Sequence, residues 1–355
     1  MDRKRLDSLL NSLRRMAATA LHLVAGRPPE LRVQRRFVAG DESLVTGGEV
    51  DALLAEMLFA DDRAQLQAVG FVEVLYVDPS TEEHFRVKVA DEGGRSSILL
   101  RPVPAAAPEL GSLHLPDQME GFTRCRQGLV LISGFFGSGK STTLSAIVDT
   151  CSRDAARHIA LIEDRVELVY PAGAAQICQR QVGTHVHTAG DGIRQAVAFG
   201  CDVIVVADVA DEDTLDAALS AAESGCLVFA GVEAGSIVGA LAQVASLVPV
   251  ELRPRIRARM SQSLRGATAQ ALLQRSRLGG QVPVVELLVN TPAVSVAIRT
   301  AQLQDLGPIM KRCRGLGMQT IEIALRELTS RHLVSEEDAA RYALQPEQVR
   351  VGAPR

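Results

Sequence analysis

Apolar residues recur on a helical period at the start of the chain. Leu6, Leu9, Leu10, Leu13 and Met16 lie three or four apart, with Arg and Asp between them, which predicts an amphipathic helix over residues 1–18. Two short apolar runs, 20–24 and 30–33, flank the turn Gly26-Arg27-Pro28-Pro29 and read as strands. Residues 47–69 split into two helical patterns, VDALLAEML and DDRAQLQAVG, with Asp61 or Asp62 as the cap of the second. The period then changes to two. Runs at 71–77, 84–89 and 97–103 read as strands, and HFRVKV places Phe85, Val87 and Val89 on one face and His84, Arg86 and Lys88 on the other. Residues 1–104 are thus expected to form a small α+β domain.

Pro102, Pro104, Pro108 and the alanines between them mark a boundary, so 105–127 is read as linker and lead-in. From 128 to 250 strand-like runs alternate with helical ones, which predicts a parallel sheet with helices on both faces. Residues 251–345 read as mostly helical: ELRPRIRARMSQSLRGATAQALLQR first, then a strand-like VPVVELLVN, then helices near 292–304, 317–332 and 335–344. The tail 346–355 is polar and expected to fray.

The chemistry concentrates in GLVLISGFFGSGKSTTL, residues 128–144. An apolar strand breaks at Gly134 into a loop ending Gly139-Lys140-Ser141-Thr142, and a helical pattern follows. This is the phosphate-binding G-x-x-x-x-G-K-[ST] loop in its strand–loop–helix setting. Gly134, Gly137, Ser138 and Gly139 let backbone N–H groups face a phosphate chain. Lys140 reaches the β/γ-phosphates, Ser141 supplies a Mg²⁺ ligand, and Thr142 binds the nucleotide beside them. The implied cofactors are ATP and Mg²⁺. A second acidic site is expected, and Val203–Asp208 offers an apolar strand ending in a carboxylate. The acidic stretch Ile162-Glu163-Asp164-Arg165-Val166-Glu167 lies between the two, and reads either as part of the site or as a solvated turn.

Composition narrows the field. A net charge of −4, no Trp and 3% aromatic residues argue against a nucleic-acid partner. The six cysteines are scattered without a C-x-x-C pair, so structural zinc and a disulfide framework are not expected. No apolar run is long enough to span a membrane, and Arg14-Arg15 before MAATALHLVAG lacks the length and cleavage site of a signal. His185 and His187 form an H-x-H, too few ligands for a metal site. Phe135 and Phe136 pack either on a neighbouring lobe or the adenine, or in the base of their own loop.

Together these residues resemble the motor ATPases of type II secretion and type IV pili, most of all those of pilus retraction and twitching motility. The resemblance covers nearly the whole chain. It rests on Ala20-Leu21-His22-Leu23 with Gly26-Arg27-Pro28-Pro29, on Phe85-Arg86-Val87 and Leu100-Arg101, and on GLVLISGFFGSGKSTTLSAIVD. It continues through IEDRVE, Gln179–Gly183, Ala221–Gly225 and Leu227–Phe229. It ends with Val289–Ala293, Ala297-Ile298-Arg299 and Leu316–Thr320. It implies a sensor-like N-terminal domain followed by a RecA-like ATPase domain with a helical C-terminal extension. It also implies a hexameric ring, or a mixed ring with a paralogue, acting in the cytoplasm on an inner-membrane platform protein. ATP would sit between the lobes, with Arg86, Arg101 and Arg194 as candidate γ-phosphate sensors.

The departures from that pattern cluster at the chemistry. The family's Gly-Glu at the end of the second acidic strand is Ala207-Asp208, and the Arg that follows it is Ala210. The histidine-box position is Glu233, and one of two expected arginines survives as Arg194 while the other is Ala198. The loop's usual Pro-Thr is Phe135-Phe136, and Arg165 replaces a Pro. Asp208, Glu163 and Glu233 are therefore the candidate catalytic carboxylates, with Asp208 also on Mg²⁺. Two functions follow: a motor ATPase, fast or slow, that drives pilus retraction or assembly, or a non-hydrolysing paralogue that binds nucleotide and joins or regulates active relatives.

Overall fold

The structure is a computed structural model. It describes residues 1–355 apart from 34–35, 42, 92, 94, 105, 155, 171–172, 277–279, 344, 347–348 and 350–355. Most of the expected frayed tail therefore lies outside the described residues. The chain forms two compact units, Met1–Ala106 with Glu167–Val169, and Ala107–Val166 with Tyr170–Arg355.

The first unit is an antiparallel sheet carrying helices. Its strands are β1 (Ala20–Val24), β2 (Glu30–Val33), β3 (Arg36–Ala39), β4 (Phe71–Val77), β5 (His84–Asp91) and β6 (Ser96–Pro102), in the order β3-β2-β1-β6-β5-β4. Its helices are α1 (Arg3–Arg15), α2 (Gly47–Met57) and α3 (Ala60–Val69). The period-two residues Phe85, Val87 and Val89 join Leu6, Leu9, Leu10 and Leu13 of α1 in one core. Two details differ from the sequence reading. β3 is exposed at every position, so it carries no alternation to reveal it. Residue Phe59, not Asp61 or Asp62, caps α3. Asp62 sits in the first turn and its Oδ2 accepts the Phe59 N–H at 2.9 Å, which is the return half of a capping box.

The second unit is built on a seven-stranded sheet. The strands are β7 (Gly128–Ser133), β8 (His158–Glu163), β9 (Gln176–Gln181), β10 (Val203–Val206), β11 (Leu227–Val232), β12 (Leu264–Gln274) and β13 (Gln281–Val289), in the order β13-β12-β7-β11-β10-β8-β9. All neighbours are parallel except the β12–β13 hairpin. The helices are α4 (Gln118–Thr123), α5 (Lys140–Ser152), α6 (Ala189–Ala198), α7 (Glu212–Glu223), α8 (Ile237–Ser246) and α9 (Arg253–Ser263). They continue with α10 (Pro292–Arg299), α11 (Leu306–Arg312), α12 (Ile321–Ser330) and α13 (Glu336–Tyr342). Among the described residues no helix is long and apolar enough to cross a membrane.

Alternation on the central strand β7 separates the two faces. Leu129 and Leu131 enter the core with α6–α11, and Val130 and Ile132 enter the core with α4 and α5. The α/β class, with a largely parallel sheet in this unit, is as the sequence predicts. Residues 264–274 correct it: expected as helix, they form β12, between β7 and β13. Small residues let this strand lie deep in the sheet. A Cβ on Gly266 would come within 2.1 Å of the Phe122 ring and 2.8 Å of the Leu288 carbonyl oxygen.

Phe229, at the middle of β11, is fully buried. Phe229→Ala is expected to cost the second unit about 3–5 kcal/mol, because the sheet cannot collapse onto the void. Urea denaturation followed by circular dichroism measures it, and a loss below about 1 kcal/mol contradicts the packing described.

Candidate nucleotide-binding site

Four strands of the parallel sheet end at one edge, and their carboxyl ends carry the candidate residues: Gly134 after β7, Glu163 on β8, Asp208 after β10 and Glu233 after β11. That edge is where open α/β sheets bind ligands. The loop 134–139 turns through left-handed backbone at Gly137 (φ 79°) and Gly139 (φ 89°), and Gly139 is the N-cap of α5 without a side-chain bond. The Thr143 N–H, on the Gly139 carbonyl at 3.0 Å, is the first to close a helical turn. The amides of Lys140, Ser141 and Thr142 therefore point ahead of the helix, where its positive end favours an anion.

A loop with outward-facing amides needs support from elsewhere, and β12 supplies it. The Gln270 side chain is buried; its Nε2 donates to the Ser138 carbonyl at 2.9 Å and its Oε1 accepts the Thr143 hydroxyl at 3.0 Å. The Ser133 hydroxyl donates to the Thr268 carbonyl at 2.7 Å. Gly134 is required by this closeness, since a Cβ there would lie 2.2 Å from the Ser138 Oγ and 2.7 Å from the Gln270 carbonyl oxygen. Lys140 Nζ donates to the Val232 carbonyl at 3.2 Å, and the same oxygen accepts the Gly134 N–H at 3.2 Å.

Asp208 is half-buried beyond β10. Burial pushes its carboxyl above the usual carboxylate range; Lys140 pulls it back, while Glu233 and Asp164 push it higher. One cation and three carboxylates thus share the field at the loop. Gly231 on β11 carries no Cβ because one would sit 1.8 Å from the Ala207 carbonyl oxygen, so the turn into Asp208 is pressed against β11. Glu233 is exposed, and Ser141 and Thr142 are exposed on the first turn of α5. This set fits a Mg²⁺–nucleoside triphosphate: free amides and a lysine for phosphate, a hydroxyl and a carboxylate for the ion.

Glu163 and Arg194 are not among the charges that bear on Asp208. Glu163 continues the alternation of Ile159 and Leu161 toward the α5 face, and its Oε2 accepts from Gln179 Nε2 at 3.3 Å. Arg194 on α6 is bound to Asp213 through both terminal nitrogens, at 2.9 and 3.0 Å, and to Asp191 at 2.9 Å. Arg86 and Arg101 face each other across β5 and β6 in the first unit, where Arg86 lies 3.4 Å from Glu73. His185 Nδ1 accepts the Gln181 N–H at 2.9 Å and is part of a turn. Phe135 is 60% and Phe136 99% exposed, so neither is buried in the base of the loop; the Phe135 ring lies over Gly235.

A cavity of about 300 Å³ opens beside α5. Leu113, Leu115, Leu272 and Pro283 give it apolar walls, His114 and Gln281 polar edges, and Gly139 and Thr142 join it to the loop. The sequence reading missed this cavity and Gln270. The available signal for Gln270 was a lone amide in the small, apolar run GATAQALL.

The family model for Type II/IV secretion system proteins matches residues 110–305. The chain belongs to that family. The type IV pilus retraction ATPase PilT of Pseudomonas aeruginosa is 30% identical over 96% of this chain and 99% of its own. The type IV pilus ATPase PilU of the same organism is 26% identical over 95% and 88%. The crystal structure of the pilus retraction motor PilT with bound ADP superposes with a TM-score of 0.87, at 29% identity over 96% of this chain and 97% of that one. The phosphate loop, Asp208 and Glu233 all lie within the stretch that the family model matches.

Asp208 gives a test of the local electrostatics. A raised folded-state pKa means the ionised carboxylate costs stability above that pKa, while below the unfolded pKa of about 4 both states hold the proton and the cost vanishes. Asp208→Asn is therefore expected to melt higher than wild type at pH 7.5, with the gap closing toward pH 4. A variant that melts lower at pH 7.5 contradicts the burial assigned to this group.

Proposed function

We propose that the chain is an ATP-driven motor subunit of a type IV pilus or related secretion machine. The observation that carries this is the phosphate loop held by β12 at the same sheet edge as Asp208. Gly134, Gly137, Ser138, Gly139, Lys140, Ser141 and Thr142 hold the phosphates; Ser141 and Asp208 hold Mg²⁺. When bound, the ion neutralises phosphate charge and orients the transferred group. Lys140 leaves the Val232 carbonyl for phosphate oxygen. Asp208, with Glu163 or Glu233, accepts the proton of the attacking water. Arg86 and Arg101, supplied from the first unit, balance charge that develops on the γ-phosphate, and Arg194 does so only after leaving Asp213. Subunits work in a ring of six, or in a mixed ring with a paralogue, at the cytoplasmic face of a membrane platform.

A second reading has its own support. Asp208 is one methylene shorter than the Glu that the resemblance expects, and geometry at this position is demanding on the 1 Å scale. Ala210 and Ala198 remove two arginines. On this reading the protein binds nucleotide without turning it over and stabilises or regulates a ring of active relatives.

Steady-state ATP turnover beside Lys140→Ala separates the two. The motor reading expects the variant to fall by about 10²–10³-fold, the usual loss when one charge-stabilising donor is removed. Equal rates for wild type and variant leave only the second reading. On the motor reading Asp208→Glu is also expected to raise turnover, since it restores the reach of a general base; an unchanged or lower rate counts against Asp208 as the limiting group.

A further inference from the structure

Glu286 stands on β13 and takes no part in the steps above. It is half-buried, and its Oε2 accepts the Ile237 N–H at 2.8 Å. Ile237 opens α8, whose N-cap Ser236 accepts the Gly239 N–H on its Oγ at 3.0 Å. The carboxylate thus pairs an amide that the cap leaves over, at the helix end that favours an anion.

The segment ending at Ile237 is the one that meets the phosphate loop. Val232 holds Lys140 and Gly134 on its carbonyl. Glu233 bears on Asp208. Gly235 lies so close under Phe135 that a Cβ would come within 2.6 Å of the ring. One end of this segment is fixed by β11. The other is fixed where α8 begins, and there the holding group is Glu286.

We propose that Glu286 is a positioning residue for the nucleotide site: by clamping the first amide of α8 it sets the path of residues 233–237 beyond β11, and with it Glu233. The proposal rests on the ATPase reading above. β13 is also the strand to which the approach to α12 is stitched. Leu287 and Gln319 exchange backbone bonds at 2.9 and 3.0 Å, and the Gln319 side chain donates to the Val285 carbonyl at 2.7 Å. Buried Glu322 on α12 and Tyr342 on α13 share the electrostatic surroundings of Glu286. A shift of α12 would therefore reach the loop through this side chain.

Two substitutions in the full chain test the clamp. Glu286→Gln keeps an acceptor oxygen of the same reach, and Glu286→Leu removes it. Hydrogen exchange at residues 233–239 and steady-state ATP kinetics are the readouts. The Leu variant is expected to exchange the Ile237 amide at least about 10-fold faster. It is also expected to lose about 10–100-fold in kcat with KM within about threefold, while Gln holds kcat within about threefold of wild type. Unchanged Ile237 exchange in the Leu variant, an equal kcat loss in both variants, or a rise in KM alone overturns the proposal. Should the Leu variant not fold, Glu286→Asp, one methylene short of the amide, replaces it with the same expectations. Wild-type turnover no better than Lys140→Ala would reject the ATPase reading instead, and Ile237 exchange would then decide the clamp by itself.

Discussion

A loop that offers its amides to a ligand cannot use them to hold itself. That constraint shapes the second unit. The first turn of α5 has no side-chain cap, and the loop before it spends two glycines on left-handed backbone. Its rigidity comes from neighbouring strands: Gln270 and Thr268 on β12, and the Val232 carbonyl at the end of β11. β12 is therefore more than another layer of sheet. It places an amide side chain, buried and bonded at both ends, beneath the loop. Each of its hydrogen bonds contributes modestly when made and costs more when left unpaired in the interior.

How much of this was readable from the chain depends on the range of the interaction. The α1 stripe, β4 and the Phe85/Val87/Val89 face are local patterns, and they emerged with nearly the right bounds. The phosphate loop is local too, since its meaning lies in one strand, one turn and one helix. β12 was read as helix because Ala267, Thr268, Ala269 and Ala271 are small, and small residues carry no strong period. Only the flanking strands make that segment extended, and they lie over a hundred positions away in sequence for β7. Gln270 and Glu286 escaped for the same reason. A polar residue on a buried strand is visible, but its partner, whether the Ser138 carbonyl or the Ile237 amide, is known only once the sheet is assembled.

The acidic candidates sort by the same logic. Glu163 and Asp164 are adjacent in sequence but leave β8 differently: Glu163 follows the α5 face and engages Gln179, while Asp164 contributes to the field at Asp208. Sequence position alone ranked Glu163 above its neighbour. Arg194 shows the converse. It is a candidate phosphate sensor, yet its guanidinium is held on both nitrogens by Asp213 and on one by Asp191. A bidentate pair on the surface is worth little in stability but fixes the direction of the fork, and Arg194 must break it before serving a phosphate.

The charge balance at the loop argues for the kind of ligand it takes. Lys140, Glu233 and Asp164 all bear on Asp208, which sets one positive charge against three carboxylates. Free nucleotide would meet repulsion there beyond the reach of the α5 amides. A nucleotide carrying Mg²⁺ would reverse the sign beside Asp208, and the same carboxylates would then attract it. Burial first, then Glu233 and Asp164, make the ionised form of Asp208 unfavourable, and a cation bound beside it would offset that cost. The loop and the carboxylates are then two halves of one electrostatic arrangement, which the segment 232–237 joins.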